Sequence, residues 1–240
     1  MNVAIITGAS RGIGRAIALT LAENNTYIAI CGRHSDTLLS VAKEVRTKGS
    51  ICHAFTGDVS DYSFAKSMVD TVLAEAGHID FLINNAAVSK VGLFTDLTPD
   101  DWNELINTNL TSIYNTCHCA VPSMVSKKSG HILNISSVWG LVGASCEVAY
   151  SASKGAVCSF TKALAKELAP SNISVNAIAF GAVDTEMNAQ LTAEEKDALC
   201  EEIPYGKMAT PEEAATCVSK ILSMPSYLTG EVIKFDGGWI

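Results

Sequence analysis

Tyr150 and Lys154 stand four residues apart in Tyr150-Ser151-Ala152-Ser153-Lys154, with Ser137 upstream of them. Four residues is about one helical turn, which sets a phenol and an ammonium side by side. A free tyrosine, with a pKa of about 10, is a poor acid or base near neutral pH. A neighbouring cation favours the phenolate, so the spacing predicts a lowered tyrosine pKa and a group able to give and take protons. From Tyr150 the 4-3-4-3-4 spacing runs through Lys154, Val157, Thr161, Leu164 and Leu168, a stripe that becomes apolar. Lys154 thus begins on a face that is later buried, where an unpaired ammonium is costly.

A second segment supplies a candidate cofactor site. The strand-like Val3–Thr7 runs into Gly8-Ala9-Ser10-Arg11-Gly12-Ile13-Gly14 and then a helical pattern. Glycines here allow a tight turn and let backbone N–H groups approach a pyrophosphate, whose charge a helix N-terminus favours. The spacing is G-x-x-x-G-x-G rather than the generic G-x-G-x-x-G, but its place in a βαβ unit points to a dinucleotide. An acidic residue ending the second strand would bind the ribose hydroxyls of NAD(H) and repel a 2′-phosphate. This chain has Arg33 there, with Arg11 in the glycine-rich loop, which points to NADP(H) over NAD(H).

These groups need a scaffold, and the pattern predicts one. Strand-like runs at Val3–Thr7, Tyr27–Cys31, Ile51–Thr56, Phe81–Asn84, His131–Ile135, Ser174–Ala179 and Val232–Phe235 alternate with helical patterns. The helices are expected near Gly12–Glu23, Asp36–Thr47, Tyr62–Ala76, Pro99–Ser126, Val148–Ala169 and Pro211–Ser223. This is the pattern of an α/β, Rossmann-type, doubly wound and mostly parallel seven-stranded sheet with helices on both faces. The chain of 240 residues reads as one domain spanning 1–240, and the irregular Asp184–Gly206 as a mobile substrate lid.

Composition narrows the partners. A formal charge of −8 disfavours nucleic acid or an anionic membrane, and no run approaches the roughly 20 apolar residues of a membrane span. The first strand begins without the cationic region of a signal peptide, so a cytoplasmic protein is expected. None of the eight cysteines forms a Cys-x-x-Cys pair. The neighbours in Cys117-His118-Cys119 would diverge on a helix, so the cysteines read as reduced apolar residues and no metal is expected.

The ordered set of segments resembles the short-chain dehydrogenase/reductase family over nearly the whole chain. Thr7–Gly14 matches its glycine-rich motif and Asp58 in Gly57-Asp58-Val59 its adenine-binding residue, while Asn84-Asn85-Ala86-Ala87 resembles its Asn-Asn-Ala-Gly segment with Ala87 in place of the last glycine. Asn109, Ser137, Tyr150 and Lys154 match its catalytic tetrad. Asn109 also shares a helical stripe with Trp102, Ile106 and Ile113, which predicts a buried amide. The resemblance implies cofactor contacts from Gly8, Ser10, Arg11, Gly12, Ile13, Gly14, Arg33, Asp58, Val59, Asn85, Ala86, Tyr150, Lys154, Gly181, Val183 and Thr185. It implies reversible hydride transfer between a nicotinamide and a carbonyl, and Asn109 holding a water that relays protons to Lys154. One departure is Phe180-Gly181 where the family has Pro-Gly. The family's tetramers, with the apolar stripes of the long helices and Val232–Phe235, suggest a homotetramer.

The broadest similarity is to 3-oxoacyl-acyl-carrier-protein reductases, which act on a carrier-linked ketone. Those enzymes usually have a neutral stretch where this chain has Ser145-Cys146-Glu147-Val148-Ala149, and the basic residue they often use to dock the carrier is missing at Ser171-Asn172. An unpaired Glu147 facing the site would raise the tyrosine pKa, so it should point outward or meet a cation. The segment from Ser137-Val138-Trp139-Gly140 to Glu147 also resembles a bacterial subgroup that reduces 5-aminopentanone carried on a lysine of elongation factor P. An amine-bearing ketone would give Glu147 a cation. Trp139, Cys146, Glu147 and Met187 are the expected substrate-pocket residues. Oxidation of a steroid or other small-molecule alcohol, and a non-catalytic NADP(H)-sensing role, are the alternatives.

Overall fold

In the first strand, β1 (Val3–Thr7), alternate side chains enter two separate cores. Ala4 and Ile6 point to one face of the sheet, Val3 and Ile5 to the other, and all four are buried. A strand covered on both faces must be apolar throughout, which is why the pattern reads as a continuous run rather than an alternation. The computed structural model describes residues 1–23, 25–189 and 191–240. Gln190, within the predicted lid, lies outside the described residues.

Six further strands complete the sheet: β2 (Tyr27–Gly32), β3 (Cys52–Thr56), β4 (Phe81–Asn84), β5 (Gly130–Ser137), β6 (Ile173–Phe180) and β7 (Val232–Phe235). Their spatial order is β3-β2-β1-β4-β5-β6-β7, and every pairing is parallel. The expectation of a mostly parallel sheet is thus sharpened to an entirely parallel one among the described residues. Helices α1 (Gly12–Ala22) and α2 (Ser35–Thr47) cover one face and α3 (Tyr62–Ala76) the other. The chain reverses direction across the sheet between β1 and β4, and the crevice at their carboxyl ends is where an open α/β sheet binds its ligand.

The long helix expected over Pro99–Ser126 is broken. It divides into α4 (Pro99–Ile106), a π-helical turn at Asn107–Thr111 and α5 (Ser112–Lys127). The wider turn shifts the phase of the helix, so the predicted stripe does not run straight through it. Asn109 and Ile113 are buried as expected, but Trp102 is exposed.

A four-residue helix, α6 (Trp139–Val142), follows β5 and precedes α7 (Val148–Leu168). The stripe of α7 packs within the chain, with Val157, Thr161 and Leu168 buried against the sheet. This stripe is therefore not available for contacts with a second copy of the chain. The predicted lid contains α8 (Ala193–Glu202), begun by a capping box between Thr192 and Glu195. A similar box at Thr210 and Glu213, with Pro211 at the first helical position, starts α9 (Pro211–Leu222), which packs against α1. Among the described residues no helix is long and apolar enough to cross a membrane.

Candidate active site

The crevice beyond β1 has two connected parts. The nucleotide half, a cavity of about 380 Å³, gathers Gly8, Ser10, Arg11, Gly12 and Ile13 from the glycine-rich loop. Arg33 enters from the end of β2, Asp58 and Val59 from the loop after β3, Asn85 and Ala86 from the end of β4, and Thr185 from the loop after β6. Gly14 does not line this cavity but packs beneath it. A Cβ on Gly14 would overlap the Gly8 carbonyl oxygen and come within 2.5 Å of the Asn85 amide nitrogen. The loop can close on the helix only because that position has no side chain.

This half fits a dinucleotide. Helix α1 has no side-chain N-cap and no acidic residue in its first turn, so its leading N–H groups stay available for an anion. Gly12 (φ +54°) faces Thr185 there; a Cβ at this position would lie 3.3 Å from the threonine side chain and begin to fill the cradle. Asn85 donates its amide to the Thr7 and Gly8 carbonyls at 3.0 Å each, tying the end of β4 to the loop. Asp58 accepts from the Ser60 N–H at 2.9 Å through one oxygen.

The second half, about 310 Å³, holds Ser137, Tyr150 and Lys154 in one cavity with Gly181, Val183 and Thr185. Ile13, Asn85, Thr185 and Met187 line both halves, so the two parts are continuous. Ser137 Oγ accepts the Trp139 N–H at 3.2 Å, which leaves its own proton free to donate. Lys154 is 2 % exposed, and its Nζ donates to the Ile135 carbonyl at 2.8 Å. It stands 5.7 Å from the centre of the Tyr150 ring.

The expected lowering of the Tyr150 pKa is not what this geometry produces. Burial pushes the phenol up to about 12, a hydrogen bond with Ser137 opposes the rise, and Glu147 adds to it. Burial also brings Lys154 down to about 8. A lysine held on a carbonyl, and itself desolvated, does not offset the burial of the phenol. The tyrosine consequently keeps its proton through neutral pH, the state in which it can serve as an acid.

Asn109 is wholly buried, and both of its amide hydrogens are used. Nδ2 donates to the Val88 carbonyl at 2.9 Å and to Ser153 Oγ at 3.0 Å, while Oδ1 accepts the Val88 N–H at 2.8 Å. Ser153 in turn donates to the Tyr150 carbonyl at 2.7 Å. The side chain therefore clamps the loop after β4 to the catalytic turn. A water could use only the remaining Oδ1 lone pair or the main chain, which narrows the expected relay role.

Of the four expected substrate-pocket residues, Trp139, Glu147 and Met187 line this second cavity together. Cys146 is the exception and does not line this cavity. It adopts a left-handed conformation (φ +61°), and its carbonyl accepts the Gly92 N–H at 2.8 Å. That reversal places Glu147 at the start of α7, where it faces inward. Ser89 Oγ donates to the Glu147 carboxylate at 3.0 Å. Burial raises the Glu147 pKa, and hydrogen bonds from Ser89 and Trp139 limit the rise. Glu147 does not point outward as one expectation had it: it faces the site, and among the described residues no protein cation pairs with it.

Sequence reasoning missed Ser89, Trp239, Leu191 and Leu199. Trp239 meets Trp139 with ring centroids 4.8 Å apart at 60°. The two leucines line the cavity from the lid segment. Ser89 could have been suspected from its place just beyond Asn84-Asn85-Ala86-Ala87, but nothing local marks the penultimate tryptophan.

Residues 2–196 match the family model of the short chain dehydrogenases. The chain belongs to the short-chain dehydrogenase family. Among its relatives, a 3-oxoacyl-[acyl-carrier-protein] reductase of Chlamydia muridarum is 39% identical over 99% of this chain and 96% of its own. An oxidoreductase of Bacillus subtilis, YmfI, is 40% identical over 99% of this chain and 98% of its own. The fold is that of a short-chain type dehydrogenase/reductase from Mycobacterium marinum, at 34% identity and a TM-score of 0.92, covering 99% of this chain and 95% of that one. As a short-chain dehydrogenase, this protein is an oxidoreductase acting on the CH–OH/C=O pair.

Proposed function

We propose that this protein is an NADP(H)-dependent ketone reductase whose substrate is a 3-oxoacyl group carried as a thioester. The observation that carries the reading is a single crevice in which Ser137, Tyr150 and Lys154 adjoin a glycine-built nucleotide cradle. Relatives named as 3-oxoacyl-[acyl-carrier-protein] reductases support the substrate class. Arg11 and Arg33 at the adenosine end, with no carboxylate ending β2, support NADP(H).

A bound nicotinamide would supply the hydride in reduction. The protein's part is to hold the carbonyl and deliver a proton. Ser137, its acceptor side occupied by the Trp139 N–H, donates to the carbonyl oxygen. Tyr150 gives its proton to the same oxygen as negative charge develops there. The Lys154 ammonium offsets the phenolate left behind, and its pKa near 8 suits it to return a proton. Asn109 and Ser153 fix the Tyr150 turn.

The exposed Trp102, Tyr114 and Val148 on α4, α5 and α7, with the edge strand β7, suit a homotetramer. One observation favours a second substrate. Glu147 is a partly buried carboxylate in the pocket wall beside the Trp139–Trp239 pair, a setting that suits an amine-bearing ketone. A carbonyl screen with NADPH and NADH, containing an acyl thioester and an aminoketone, tests both readings. Preferred turnover of the thioester with NADPH supports the first, preferred turnover of the aminoketone the second, and no carbonyl reduction overturns both.

A further inference from the structure

At the adenosine end, the Arg33 guanidinium reaches across to α4 and lies 3.9 Å from the Glu104 carboxylate. Glu104 is the sole carboxylate within ion-pair distance of Arg33 among the described residues. It lies on the last turn of α4, just before the π-helical turn that carries Thr108 into the nucleotide cavity, and its contact with Arg33 is what ties it to that opening. The capping box of Thr98 and Asp101 and the N-terminal Pro99 fix the start of that helix. Its nearest acidic neighbour is engaged elsewhere: Asp101 pairs with Lys90. Glu104 is left to face Arg33.

We propose that Glu104 is a specificity-determining residue of the nucleotide cleft, a carboxylate that competes with the cofactor's 2′-phosphate for Arg33. The proposal rests on the reading of Arg33 as the group that receives that phosphate. At 3.9 Å, with both side chains about half exposed, the pair is a loose contact that a phosphate dianion can displace. It nevertheless opposes the phosphate twice, by occupying the guanidinium and by adding a nearby like charge. The consequence is a narrower preference for NADP(H) over NAD(H) than two arginines alone would give. The carboxylate does this without the acidic residue at the end of β2 that usually marks an NAD(H) site.

The test measures dissociation constants for NADP⁺ and NAD⁺, by quenching of tryptophan fluorescence, in the wild-type protein and in Glu104→Gln, Arg33→Ala and the double variant. Glu104→Gln should tighten NADP⁺ by about three- to fivefold at low salt, the size expected of a solvated charge pair. The gain should fall as salt is added and should vanish in the Arg33→Ala background, with NAD⁺ little changed throughout. If Arg33→Ala weakens NADP⁺ but Glu104→Gln changes nothing, the competition is refuted while the cofactor reading stands. If Arg33→Ala leaves NADP⁺ unaffected, the cofactor reading fails and the competition with it. Weakened NAD⁺ binding in Glu104→Gln would mean that the carboxylate holds the ribose, which also overturns the proposal.

Discussion

The two halves of the crevice are built by different means. The nucleotide half is built around backbone, a glycine turn, an uncapped helix end and short loops at the carboxyl ends of the strands, with Arg33 and Asp58 among the side chains that line it. The substrate half is made of side chains from distant segments: Ser89, Trp139, Glu147, Met187 and Trp239. A backbone cradle tolerates almost no added atoms, whereas a side-chain wall can change what it accepts by single exchanges. On the proposed reading, the first half would hold a common cofactor and the second would set what is reduced.

Breaking the backbone half should have the larger effect. Gly14→Ala places a methyl carbon on the Gly8 carbonyl, so nucleotide binding should be lost in fluorescence titration. Overpacking of this kind costs about 1–3 kcal/mol of stability, readable by urea unfolding. Tight nucleotide binding by a stable Gly14→Ala protein would show that the cradle is less rigid than the contacts imply. Asn109→Ala comes next, because it strands the Val88 N–H and carbonyl and Ser153. It should cost about 1–3 kcal/mol in the same assay, with lowered turnover as the Tyr150 turn loosens.

Exchanges in the substrate wall should be milder and more selective. Glu147→Gln removes a negative charge that raises the Tyr150 pKa, so the rise of alcohol oxidation with pH should move to lower pH. If the pocket accepts an amine-bearing ketone, the same variant should lose more kcat/KM on it than on a neutral ketone. Equal losses would remove Glu147 from substrate choice.

A further effect, on the pH dependence of stability rather than on turnover, concerns Lys154, whose pKa falls from 10.5 to about 8 on burial. Below pH 8 the lysine is charged in both folded and unfolded chains, and the full penalty of burying the charge is present. Between pH 8 and 10.5 the unfolded chain holds the extra proton, so this residue's contribution to stability improves as pH rises. Relative to Lys154→Met, the wild-type Tm should climb across that window. A flat difference would place the ammonium in a better-solvated setting.

The contrast also explains what the sequence made legible. The glycine turn, Arg33 and the Tyr150–Lys154 pair are local signals, Asp58 and Asn85 were expected from the family resemblance, and the structure brings all of them into one crevice. The five inner strands were legible because a parallel sheet buried on both faces requires apolar runs, while the edge strands β3 and β7 are only partly buried and were read from their short apolar or β-branched runs. The break at Asn107–Thr111 was not, since a π turn has no clear local pattern and is stabilised by the Asn109 contacts it creates. The inward turn of Glu147 depends on the left-handed Cys146, a conformation that a cysteine does not advertise. Trp239 reaches the pocket only through the closing of the fold around the final strand.

The central claim is that Tyr150 delivers the proton from a site whose nucleotide half is independently formed. Tyr150→Phe, assayed for ketone reduction and for cofactor binding in parallel, tests it most directly. The account predicts a fall in kcat of about 10²–10⁴-fold with the nucleotide still bound. Undiminished reduction by the phenylalanine variant would contradict it.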